Sequence, residues 1–216
     1  MKKTKLNLFQ SALGAVIIAG VALGCTNYLN ILPRDAATPA SDNQLVADLV
    51  TGSYASLLEG DPFGNGDVHG FAFISATNIM SDDADKGSFP LDQATTTGEF
   101  DTFTLTSTNQ FCNTLWLGHY NGIGAVNQTL NAFKTSPLDT ATLNGYKGEV
   151  LFIRAYYYFS LVRMYGGVPL ILRIPTGVDD ALNNPVYKTR ANASVVYDSI
   201  VQACDAVNQV VADGIG

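Results

Sequence analysis

The segment from Ser81 to Ser107, SDDADKGSFPLDQATTTGEFDTFTLTS, has the least helix signal and the most possible chemistry in this 216-residue chain. Lys86, Phe89, Gln93 and Phe100 are the side chains to weigh first. A sugar ring presents a C–H face that packs on an aromatic ring, while its hydroxyls need donors and acceptors. A sugar site therefore combines Phe, Tyr or Trp with amide and charged groups. Taken singly, Phe89 or Phe100 reads as a pin that fastens a long loop to neighbouring helices. Asp82, Asp83, Glu99 and Asp101 raise a second chemistry, glycoside hydrolysis by two carboxylates. Paired acids are commonplace in an acidic chain, however, and spacing in sequence does not set separation in space. Asp83, Asp85 and Gly87 faintly suggest a calcium loop, but Ser88 stands at the turn-glycine position and Ala94 at the bidentate-glutamate position, so no metal site is expected. His69 and His119 are isolated, and Gly64-Asn65-Gly66 lacks the Gly-Lys-Ser/Thr of a phosphate loop, so these read as structural. No catalytic residue and no cofactor is expected.

The elements that must position this loop are helical. Asp42 can cap a helix whose Val46, Val50, Tyr54 and Leu57 or Leu58 share a face. Phe71 to Met80 is an apolar stretch that periodicity leaves open between a helix and a buried segment. A long helix is expected over 109–133, with Trp116, Tyr120, Ile123, Val126 and Leu130 on one stripe, and another from Asp139 or Thr140 to Tyr165. The short connection through Ser136-Pro137 folds these two back antiparallel. A last helix spans about 193–212, with Val196, Ile200, Ala203, Val207 and Val210 inward. Paired antiparallel helices suggest a tetratricopeptide-like scaffold, and Ala155 with Phe159 fits the A-x-x-x-F spacing of such repeats. Cys112 and Cys204 read as small residues on helices rather than as a disulfide framework, with their pairing left open.

The run from Gly148 to Leu172, GEVLFIRAYYYFSLVRMYGGVPLIL, carries the most information. Phe152, Ala155, Tyr156, Phe159 and Arg163 lie along one face, and Leu151, Arg154, Tyr158, Leu161 and Tyr165 along another. A helix apolar on two sides is expected to pack between neighbours, with Trp116, Phe152, Ala155 and Phe159 inside. Gly166 or Gly167 can close the helix and Pro169 cannot continue it, so the chain leaves extended. The N-terminus supplies an independent signal. Lys2, Lys3 and Lys5 precede an uncharged stretch that is most apolar between Ala12 and Leu23, which reads as an export signal. Ala22, Leu23, Gly24 and Cys25 fit a bacterial lipoprotein cleavage site, in which the Cys25 thiol is acylated; the competing reading is a retained membrane helix with an incidental cysteine. Residues 1–24 are then the signal peptide, 25–41 an extended lipid-anchored tether, and 42–216 the folded body. Processing takes three lysines from twelve basic residues and leaves nine against nineteen acidic ones, a formal balance of −10. Such a surface argues against nucleic acid as a partner.

The Gly148–Leu172 run resembles the signature helix of the SusD/RagB family of surface glycan-binding lipoproteins. Tyr28-Leu29-Asn30-Ile31-Leu32-Pro33 resembles the segment that follows the lipid anchor in that family, with Asn30 where Asp is common. Ser81-Asp82-Asp83 resembles the element that precedes a variable glycan-holding loop, and this adds Asp83 to the candidate ligand-binding residues Lys86, Phe89, Gln93 and Phe100. The resemblance implies a mainly α fold of tetratricopeptide-like helical pairs with long irregular loops. It implies an outer-membrane protein facing the exterior that binds oligosaccharides without cleaving them. The implied partner is a TonB-dependent SusC-like transporter, over whose mouth the protein sits as a hinged lid. Family members are much longer, so the chain is expected to be an N-terminal part, truncated before further helical pairs. A helical scaffold for protein assembly without a sugar site, or a surface glycosidase, are the alternatives. The signature helix itself is assigned packing and no ligand contact.

Overall fold

The computed structural model describes residues 43–58, 60–61, 66–81 and 83–214. The expected signal peptide, the tether, Cys25, the Asp42 cap and Asp82 lie outside them. Among the described residues seven α-helices follow one another: α1 Asn43–Ala55, α2 Phe71–Ile74, α3 Thr97–Asp101, α4 Gln110–Ala132, α5 Thr140–Tyr165, α6 Val178–Asn183 and α7 Ala193–Gly214. A two-stranded antiparallel ribbon of β1 Gly60–Asp61 and β2 Gly66–Asp67 pairs Gly60 with Asp67. The fold is mainly α, as expected.

Local chemistry sets the long helix boundaries. The side-chain carbonyl of Asn109 accepts from the Phe111 and Cys112 N–H groups at 3.0 and 3.2 Å, and the Asp139 carboxylate accepts from Thr142 N–H at 2.9 Å. Each satisfies donors that a first helical turn leaves unpaired. Gly166 takes φ +70° just past α5, a value that disfavours a side chain, and so ends the helix. Among the described residues no strand lies beside the extended exit from Val168 to Leu172; Val168 O accepts from Ala191 N–H at 2.9 Å, and side chains bind several of the other polar groups. Tyr120 donates to Pro169 O at 2.7 Å, and Asn127 donates to Ile171 O at 2.9 Å. Tyr158 oxygen accepts from Ile171 N–H at 2.7 Å, and Arg154 donates to Leu172 O at 2.9 Å.

Helices α4 and α5 pack antiparallel: Tyr165 near the end of α5 donates to Cys112 O near the start of α4 at 2.6 Å, and Arg154 donates to Asn127 farther along at 2.8 Å. Helix α7 lies antiparallel on the opposite side of α5, with Gly148 near Val210 and Gly167 near Ala191 and Ala193. Helix α1 crosses the far end of α4, where Ser53 and Thr129 hydroxyls meet at 3.0 Å. The main core lies between these helices and includes Val50, Ile123, Val126, Val150, Ile153, Tyr157, Tyr158, Leu161 and Val196. A second cluster of Ala72, Phe100, Phe111 and Leu115 lies at the opposite end of α4. Two glycines allow the close approaches. A Cβ at Gly118 would sit 2.6 Å from the Asp67 amide nitrogen, and one at Gly122 would sit 2.6 Å from a carbon of the Tyr157 ring.

Two expectations about faces need correction. Phe152 is 57% exposed and Phe159 is 40% exposed, although both were expected inside with Trp116 and Ala155. Neighbours α1, α4 and α7 cover the faces that carry Val150, Ile153, Tyr157 and Leu161, so the stripe through Phe152, Tyr156, Phe159 and Arg163 is the side left uncovered among the described residues. Ala155 is buried and Trp116 half-buried between Tyr120 and Tyr165. On α1 the inward position is Ser53, while Tyr54 points out and donates to Glu149 at 2.9 Å. Cys112 and Cys204 are both free thiols on helices.

His119 is wholly buried against Tyr157, at a ring separation of 5.7 Å. Its Nδ1–H donates to Leu115 O at 2.7 Å, which leaves Nε2 as an unprotonated nitrogen with no hydrogen-bond partner. Burial pushes its pKa down to about 4. The folded state therefore resists a proton that the unfolded chain accepts near the ordinary value of ~6.5. Stability is expected to fall as pH drops from about 6.5 towards 4, with a total loss on the order of 3 kcal/mol below that window. Urea unfolding at a series of pH values checks this, and His119→Gln should flatten the slope between those limits.

Candidate functional site

A cavity of about 460 Å³ opens between the segment that follows α2 and the C-terminal half of α5. Its size falls in the range of ligand pockets, ~300–1,000 Å³. One wall carries Phe73, Ala76, Thr77, Met80 and Ser81, and the other carries Tyr156, Phe159, Ser160, Arg163, Met164 and Tyr165. Phe100, Cys112 and Leu115 form the base, and Leu105 comes in from the loop. The first wall owes its shape to a change of winding, because α2 runs directly into a π-helical turn, Ser75–Ile79. Such turns are rare and are frequently found at functional sites. The Asp67 carboxylate anchors this wall by accepting from Gly70 and Ala72 N–H groups at 2.5 and 2.7 Å.

Polar groups are distributed among the rings. Tyr156 donates to His69 Nε2 at 2.6 Å while His69 Nδ1–H donates to Leu57 O at 2.8 Å, so the Tyr156 oxygen keeps accepting capacity towards the opening. Arg163 stacks over the Phe159 ring with its central carbon 5.1 Å from the ring centre. Burial pushes the Cys112 thiol up from its ordinary value, which keeps it protonated and inert. Aromatic faces, hydroxyls and one guanidinium can hold a ring that has an apolar side and a hydroxylated rim.

The five residues expected to bind ligand have different surroundings. Phe100 is 2% exposed and packs with Phe111 and Leu115, so it pins the loop and floors the cavity. Phe89 is 67% exposed and pins nothing. The Lys86 ammonium donates to the carbonyls of Phe89, Pro90 and Asp92 at 3.2, 3.3 and 2.7 Å, which makes it a clamp on its own loop. Gln93 has φ +47°, and its side-chain oxygen accepts from Thr97 Oγ1 at 3.0 Å. Asp83 accepts from Ser81 Oγ at 3.2 Å. Of the five, Phe100 alone lines the cavity, and Asp83 adjoins its rim through Ser81.

Glu99 accepts from Asn109 at 3.0 Å and from Thr106 N–H at 3.0 Å, contacts that hold its carboxyl below the usual range. The cavity-lining residues that the sequence does not single out are those of α5, Tyr156, Phe159, Ser160, Arg163, Met164 and Tyr165. The available signal is that an arginine, Arg163, shares a face with Phe152, Tyr156 and Phe159.

Comparison with known proteins agrees with this architecture. A SusD-like protein P2 from Formosa agariphila is 28% identical over 208 residues, covering 93% of this chain and 36% of its own length. The structure of a SusD superfamily protein from Bacteroides vulgatus superposes with a TM-score of 0.64 at 19% identity, over 80% of this chain and 35% of that one. A laminarin-binding SusD-like protein superposes with a TM-score of 0.61 at 24% identity, over 79% of this chain and 34% of that one. The chain thus spans about a third of the length of these relatives. A family model of SusD-like proteins, described as starch-binding and associating with the outer membrane, matches residues 28–215, and the chain belongs to that family.

Proposed function

We propose that this protein captures oligosaccharides at the cell surface without cleaving them and passes them to a TonB-dependent SusC-like transporter in the outer membrane. The observation that carries the reading is the cavity of about 460 Å³, where Tyr156, Phe159 and Phe73 present aromatic surface beside Thr77, Ser81, Ser160 and Arg163. Membership of a family described as starch-binding and outer-membrane associated supports it, as does a structural neighbour described as laminarin-binding. Lipid attachment at Cys25, a tether over residues 25–41 and an exterior orientation complete the proposal. They rest on the sequence signals at the N-terminus.

Capture needs no bond breaking: a preformed surface holds the glycan, and delivery follows when the protein closes over the transporter. Glu99 is poorly suited to act as the acid of a glycosidase, because its pKa is lowered where such a group needs it raised. Asp83 and the exposed Phe89 are proposed as outer contacts for a longer chain, with Lys86 and Gln93 shaping the loop that presents them. The test is calorimetry with Phe159→Ala and Tyr156→Ala. Each is expected to weaken oligosaccharide binding about tenfold, the equivalent of one lost ring contact of ~0.5–1.5 kcal/mol. Phe159 is 40% exposed, so its variant should keep the wild-type melting temperature closely. Unchanged affinity in both variants would place the sugar elsewhere.

A further inference from the structure

We propose that Arg163 makes the cavity selective for oligosaccharides bearing an anionic substituent, a uronic carboxylate or a sulfate ester. The inference rests on the capture reading and concerns its substrate class. Among the described residues, Arg163 is the one charged side chain that lines the cavity, and no carboxylate of theirs lines it. Four arginines fall within the described residues, and three are tied down. Arg154 donates to Asn127 and Leu172 O, Arg173 pairs with Asp180 at 2.5 Å, and Arg190 donates to Tyr165 O and Gly167 O. Arg163 alone makes no hydrogen bond or ion pair among the described residues; its contact is the stack on Phe159.

The stack determines what the guanidinium can do. Held 5.1 Å from the ring centre with no partner among the described residues, the guanidinium keeps its planar fork of N–H donors for a carboxylate or sulfate, which it can meet with two parallel hydrogen bonds. The same Phe159 ring that orients Arg163 also lines the cavity, so a sugar against that wall has its substituents beside the fork. Three described acids of the loop are engaged elsewhere: Asp83 accepts from Ser81, Asp101 from the Lys86 N–H, and Glu99 from Asn109 and Thr106. The chain as a whole carries a formal charge of −7, which repels anions in general. An anionic sugar is therefore favoured only where this fork can reach it, which is a basis for specificity rather than for loose attraction.

Matched pairs of ligands test the proposal on the protein at its natural length. Calorimetry would compare trigalacturonate with its methyl ester, and a sulfated galactan oligosaccharide with its desulfated form, alongside a neutral β-glucan oligosaccharide. The anionic member of at least one pair is expected to bind about tenfold tighter or more, as charge-assisted bidentate contacts allow. Which pair responds identifies carboxylate or sulfate. R163Q should erase the difference, and R163K should retain part of it, because an ammonium keeps the charge but not the fork. Equal affinity within both pairs, with neutral glycans still bound, would overturn this inference and leave the capture reading standing. A preference that survives R163Q in a variant with a wild-type melting curve would remove Arg163 from the role. Failure of every oligosaccharide to bind would overturn the capture reading itself. The wild-type pairs decide the question even where R163Q does not fold.

Discussion

Tyr157→Ala is expected to lower unfolding stability by ~3–5 kcal/mol, the range for truncating a large buried aromatic side chain. The residue is fully buried at the point where α1, α4 and α5 meet. Its ring rests against the open face of Gly122, lies edge-on to His119 at 5.7 Å, and its hydroxyl reaches Ser56 Oγ at 2.7 Å. Truncation removes the ring and leaves a void that the glycine cannot fill. Tyr157→Phe separates the two contributions: Ser56 keeps its bond to Ser53 O at 2.7 Å, so loss of the hydroxyl should cost only about 1 kcal/mol. Urea titrations of both variants check the pair. A loss under ~1 kcal/mol for Tyr157→Ala would mean that the helices do not converge on this ring.

The second large effect concerns attachment. Cys25→Ala is expected to abolish incorporation of labelled fatty acid and to release or mislocalise the protein. Several acyl chains, at ~0.8 kcal/mol per buried methylene, hold a protein to a bilayer almost permanently. Among the described residues no helix is long and apolar enough to cross a membrane. Fractionation with acyl labelling reads the outcome, and unchanged attachment of Cys25→Ala would refute the lipoprotein assignment.

The sequence made the helix ends legible because their chemistry is local. Asn109 and Asp139 were placed at the starts of α4 and α5, and both cap them; the double glycine and Pro169 ended α5 where Gly166 does so. Antiparallel pairing of those helices followed from the short turn between them. The exposed stripe of α5 was not legible in the same way. Periodicity shows that Phe152, Tyr156 and Phe159 share a face, but whether that face is covered depends on the other elements packed around the helix. The cavity was hidden for a related reason, since Thr77 and Arg163 meet in one space although 86 residues separate them in the chain. The Lys86 ammonium bonds backbone carbonyls of its own loop, and sequence does not reveal where those point.

Capture without cleavage is the central claim, and calorimetry of the natural-length protein against a panel of neutral and anionic oligosaccharides, with product analysis of each mixture after a day, tests it most directly. The expected result is saturable heat with at least one glycan, weakened by Phe159→Ala, and every oligosaccharide recovered at its original length. Release of new reducing ends by the purified protein, abolished by Asp82→Asn or Asp83→Asn, would contradict the account and make the protein a hydrolase.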